Sequence, residues 1–71
     1  MRAKAFLKRG EPEAVRAIIG CVPDQPYHEL LELRYVRRLR WRKVADALGY
    51  DERYVYKLHA KAIDMVEALL G

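Results

Sequence analysis

The sequence predicts an all-α fold, a small bundle of four to five helices in one domain spanning residues 1–71. Two observations carry this. Apolar residues recur three and four positions apart over most of the chain, with no alternating run of β-branched residues. Glycine and proline fall between these periodic stretches, at Gly10, Pro12, Gly20, Pro23, Pro26 and Gly49.

The elements follow in order. Residues 2–9, RAKAFLKR, form a short helix that Gly10 ends. Pro12 suits a first helical turn, so a second helix runs over about 12–20, with Val15, Ile18 and Ile19 on one face. CVPDQP is a connector, and Asp24 is the expected N-cap of a third helix through YHELLELRYVRR. Leu30, Leu31, Leu33, Tyr35 and Val36 cover much of its circumference, so it should pack on more than one side. Trp41 to Leu48 makes a short helix with a single inward stripe of Val44, Ala45 and Leu48. Gly49 supplies the turn and Asp51 the next cap. The last helix, 52–70, places Val55, Leu58, Ala62, Met65 and Leu69 at spacings 3, 4, 3, 4, with a second stripe of Ile63, Val66 and Leu70.

Composition narrows the function. The chain has 71 residues, 52% of them hydrophobic, too apolar for disorder. Such a length buries only about 60% of its unfolded surface, so the stability margin is thin. A net charge of +4 points towards a polyanion or a solvated basic surface. The single cysteine, Cys21, cannot form an internal disulfide and reads as a small core residue of a cytosolic protein. No apolar run approaches ~18 residues, so nothing spans a membrane, and the start MRAKAFLKRGEPE lacks the features of a secretory signal. There is no Ser, Thr or Asn, and His28, His59 and Cys21 lack paired ligand spacing. No catalytic constellation, metal site or cofactor loop can be assembled, which argues against an enzyme.

What remains is charge. RRLRWRK, residues 37–43, holds five cations in seven positions, and the window 34–43 holds six with no carboxylate. Cations at a helix N-terminus oppose the macrodipole, at about 0.3–1 kcal/mol each when exposed. A phosphate there would reverse the sign, because it meets free N–H groups, the dipole and guanidinium forks together.

The sharp junction LGYDE, 48–52, joins the two last helices, an arrangement shared by helical hairpins and by the helix-turn-helix of DNA-binding proteins. WRKVADALGYDERYVYKLHAKAI resembles the helix-turn-helix of the region-four domain of bacterial sigma factors. With Trp41 as the first motif position, Ala45 holds the fifth, where a small residue lets the helices touch, and Gly49 the ninth, in the turn. LLELRYVRRLRW is similar to that family's leucine-rich helix with its Arg-Tyr pair, here Arg34 and Tyr35. The likeness covers about residues 26–66 and is strongest to small phage-associated sigma-like regulators, where a run such as Tyr56-Lys57-Leu58-His59 is familiar. It departs where the family usually carries Gly, then a Ser or Thr cap, then acidic residues; this chain has Arg38, Arg40, Arg42 and Lys43.

The resemblance implies a DNA-binding head, 24–70, and N-terminal helices, 2–20, for packing or oligomerisation. The second helix of the motif would enter the major groove, with Glu52, Arg53, Tyr56, Lys57 and Ala60 facing base edges. Arg37, Arg38, Arg40, Arg42, Lys43 and Lys61 would face phosphates. The expected partner is double-stranded DNA in the cytoplasm, at the nucleoid, with RNA polymerase a further partner by analogy. Apolar surface at Phe6, Leu7, Val15–Ile19 and Ile63–Leu70 exceeds what a three-helix head hides; a homodimer would cover it, unless the N-terminal helices fold back to complete a monomeric core. Two other roles use the same elements: a protein-interaction module that binds polymerase, and a small terminase-like DNA packaging subunit. The DNA reading requires that the polar side of the last helix be open and that the arginine belt lack internal carboxylate partners.

Overall fold

Residues 2–71 are described by a computed structural model in which five helices follow one another: α1 (Arg2–Arg9), α2 (Pro12–Gly20), α3 (Tyr27–Leu31, widening into a π-helical turn over Glu32–Val36), α4 (Trp41–Leu48) and α5 (Glu52–Leu70). No strand occurs among the described residues. The bundle class and the spans of α1, α2, α4 and α5 are those the sequence predicts.

Helix α5 is the spine. Val55, Leu58, Ala62, Ile63 and Val66 are its buried residues. Helices α1 and α3 lie along it, α4 packs on its first half, and α2 packs on the wide end of α3. The N-terminal helices are part of this one core. Ala3 and Leu7 of α1 and Val15 and Ile19 of α2 are buried beside Leu30, Leu31, Val44 and Val55. The Cα radius of gyration, 11.1 Å, equals the ~11 Å expected when about 70 residues fold as one unit. The N-terminal helices fold back onto the core, and this hides Leu7, Val15, Ile19, Ile63 and Val66 of the surplus apolar surface. Leu69 differs from its expected stripe position and is 45% exposed, because the buried face of α5 drifts onto Ile63 and Val66 towards its end.

The chain ends are clasped. Glu67 on α5 accepts the Ala3 N–H at 2.8 Å, which satisfies one orphan donor of α1 and sets a carboxylate against its positive end. Arg2 donates to the Gly71 carbonyl at 3.0 Å and lies 3.8 Å from Glu67. Gly10 is fixed by space: it donates to the Phe6 carbonyl at 2.7 Å, and a Cβ there would sit 2.5 Å from that same oxygen.

Three expectations are corrected. Cys21 is exposed, since it caps α2 after the last inward residue, Ile19. Asp24 is not a side-chain cap: α3 starts later, at Tyr27, and it is Gln25 whose side-chain amide oxygen, Oε1, accepts the Glu29 N–H at 3.3 Å. The third helix also stops at Val36, so Arg37 and Arg38 lie beyond it.

Candidate nucleic-acid interface

Helix α4 ends in a closed turn. Gly49 has φ 77°, the left-handed conformation that favours glycine. The Tyr50 N–H reaches the Ala45 carbonyl at 3.1 Å and the Gly49 N–H reaches that of Asp46 at 3.3 Å, the paired bonds of a Schellman motif. Asp51 then takes an extended conformation and accepts the Arg53 N–H at 3.5 Å, opening α5 as expected. Gly49, Tyr50 and Asp51 thus form the whole turn between two helices.

On α5, Arg53, Tyr56, Lys57 and Ala60 are exposed and Lys61 flanks them, so the polar side is not covered by the chain itself. Glu52 is half-buried, and its carboxylate accepts the Tyr56 hydroxyl at 2.7 Å. That hydrogen bond raises the Tyr56 pKa above its ordinary value. Of the five expected base-facing residues, these two are therefore engaged with each other, while Arg53, Lys57 and Ala60 stand free.

The belt before α4 is built differently. Arg38 has φ 59°, a left-handed backbone that costs a residue with a Cβ about 1–2 kcal/mol. It closes α3: the Arg37 N–H meets the Glu32 carbonyl at 2.9 Å and the Leu39 N–H meets that of Leu33 at 3.0 Å. This is a Schellman-like closure made one residue wider by the π turn. Arg40 occupies the N-cap of α4 with no side-chain cap and no acidic residue in the first turn. The hydrogen-bond ladder of α4 starts with the Val44 N–H on the Arg40 carbonyl at 3.0 Å, leaving the N–H groups of Trp41, Arg42 and Lys43 ahead of it.

Arg37, Arg38, Arg40, Arg42, Lys43 and Lys61 are all exposed. Among the described residues the ion pairs are Arg2–Glu67 and His28–Glu32, and neither involves these cations. The belt nevertheless divides. Arg37 shares a surface recess with Glu29 and Glu32. Arg38 turns the other way, into a recess with Lys8, Arg9 and Arg34. Arg40, Arg42 and Lys43 stay at the start of α4.

Behind the belt is an aromatic seam that the sequence did not announce. Arg34 donates to the Leu39 carbonyl at 2.9 Å and lies 4.4 Å above the Trp41 ring. Trp41, half-buried as the first apolar residue of its helix, meets His59 edge-on at 4.6 Å and Tyr56 at 5.4 Å. The buried Tyr35 hydroxyl lies 2.6 Å from His59 Nε2. Burial raises the Tyr35 pKa, while burial, with Lys4, Arg34 and Lys8 nearby, lowers that of His59 to about 4. Both groups are neutral at pH 7, so this is a hydrogen bond between uncharged partners. The Arg34-Tyr35 pair thereby anchors the belt to the middle of α5. Pairing residues 24 positions apart leaves no mark in local periodicity.

No family model, curated protein or solved structure matches this chain.

Proposed function

We propose that the protein is a sequence-reading, double-stranded-DNA-binding regulator, with α5 entering the major groove and the start of α4 facing the sugar-phosphate backbone. The observation that carries this is the pairing of an open, partly cationic face on α5 with unpaired cations, Arg40, Arg42 and Lys43, at an uncapped helix start beside it. Arg53 and Lys57 are the side chains assigned to base edges, where a bidentate contact to guanine discriminates by about 1–3 kcal/mol. Tyr56 reaches bases only if its bond to Glu52 opens. Arg37, beside Glu29 and Glu32, has the weakest claim to a phosphate.

The resemblance to sigma region four supports the same use of α4 and α5, and with it a cytoplasmic, phage-type regulator. No helix among the described residues is long and apolar enough to cross a membrane. A dimer on palindromic half-sites has less to recommend it once α1 and α2 complete the core, and a concentration-independent monomer mass in sedimentation would end it.

The test is selection from random duplexes at 50 and 200 mM salt. A steep loss of affinity is expected, because each phosphate contact contributes about −0.9 to the log–log slope. Arg53→Glu should abolish sequence preference, while Lys43→Ala weakens specific and random duplexes alike. A salt-independent interaction with polymerase, and none with DNA, would replace this reading with the protein-interaction one.

A further inference from the structure

The sequence assigns the N-terminal helix only a packing or oligomerising role, yet its last-turn cations, Lys8 and Arg9, reach the belt. Lys8 and Arg9, in the last turn of α1, line an open recess of about 390 Å³ with Arg34, Tyr35 and Arg38. The recess is open to solvent, so an oxyanion can enter it with part of its hydration shell. Four of the five lining residues are cationic, and no carboxylate lines the recess. One wall is fixed, since Arg34 is held by the Leu39 carbonyl and the Trp41 ring. Lys4, on the same helix, borders Tyr56, His59, Ala60 and Asp64 of α5 in a separate recess.

Arg38 adds an independent observation. Its left-handed backbone is one that glycine adopts without penalty, and the chain places there a long cation lining this recess. Strain of this kind persists where the surroundings over-determine it, and it clusters at ligand sites.

The geometry points to a second phosphate-contact site: Lys8, Arg9, Arg34 and Arg38 take one phosphodiester of the DNA backbone, so that α1 and the belt hold the same duplex from one flank of α5. This rests on the duplex-binding reading above. Lys8 and Arg9 also complement the negative end of the α1 dipole, so each variant is first compared with the parent by thermal melting.

The experiment compares Lys8→Glu with Arg2→Glu, an equal change of charge at the two ends of α1, inside the recess and away from it. Duplex affinity is measured by anisotropy from 50 to 200 mM salt. Lys8→Glu should flatten the log–log slope by about 0.9, one phosphate contact, with the selected sequence unchanged, while Arg2→Glu keeps the parental slope. Equal slopes for the two variants would overturn the second site and leave the recognition helix intact. In parallel, the ¹⁵N-labelled wild-type chain is titrated with inorganic phosphate against chloride at constant ionic strength. Saturable shifts at Lys8, Arg34 and Arg38 that Lys8→Glu removes are expected. Linear shifts identical in the two salts would overturn the site even if the protein bound no duplex, the result by which the parent reading would fail separately.

Discussion

Two helix starts in this chain, those of α4 and α5, obey opposite rules. Helix α5 opens on Asp51, whose carboxylate accepts a backbone N–H, and carries Glu52 in its first turn. Helix α4 opens on Arg40, accepts no cap and follows with Arg42 and Lys43. The first start satisfies orphan donors and complements the dipole. The second leaves donors open and adds charge of the wrong sign, next to a left-handed Arg38. The two lie on either side of a single eight-residue helix, so they share chain, solvent and fold. What separates them is the anion: α5 brings its own, and α4, on the proposed reading, takes one from the DNA backbone.

The largest effect should come from inverting the second start. Arg40→Glu with Lys43→Glu removes two proposed phosphate contacts and adds repulsion, so duplex affinity at 100 mM salt should fall at least ~10-fold in anisotropy titrations, with the melting temperature kept or raised. A variant that melts far lower would show the cations to be structural. Next comes a contrast with the chain-end clasp, where the acid is internal. Glu67→Ala strips the cap from α1 and should cost about 1–2 kcal/mol in urea denaturation, without altering the salt slope of DNA binding.

A smaller effect concerns the seam behind the belt. The pKa of His59 is lowered to about 4, from about 6.5 in the unfolded chain. The folded state therefore binds fewer protons in this interval, and the stability that neutral His59 contributes is present above pH 6.5 and lost as pH falls towards 4. Melting temperatures recorded across that window should decline less steeply in His59→Gln, which keeps a partner for the Tyr35 hydroxyl. Identical profiles would remove His59 as the cause. The smallest effect belongs to the conventional start: Asp51 is exposed and its bond is long, so Asp51→Ala should cost about 0.5 kcal/mol, the low end for an N-cap, by the same urea assay.

The local part of this architecture was legible in the sequence. Gly10, Pro12, Gly49 and Asp51 punctuate the chain by backbone chemistry that depends only on near neighbours, and the spans of α1, α2, α4 and α5 follow from them. The exposed residues Arg53, Lys57 and Ala60 follow from helical periodicity once Val55 and Leu58 are assigned inward. The π turn at Glu32–Val36 and the left-handed Arg38 were not legible, because nothing in LRYVRR differs from an ordinary helical run and the expected glycine is missing. Pairings across the chain were equally hidden: Glu67 on Ala3, Tyr35 on His59 and Lys8 beside Arg38 each join helices that periodicity treats one at a time. The charge on Lys8 and Arg9 was visible, but its destination required the fold.

The decisive measurement sets stability against binding in one variant, Arg38→Gly/Arg40→Ser, which supplies the left-handed glycine and the hydroxyl cap that α4 lacks. Relief of backbone strain and restoration of a cap should raise the unfolding free energy by about 1–3 kcal/mol, while duplex affinity falls and its salt slope flattens by one to two contacts, about 0.9 each. Gain in one and loss in the other is the predicted result. A protein that becomes more stable and binds duplex as tightly as before, with the same salt slope, would contradict the claim that these arginines are there for the DNA backbone.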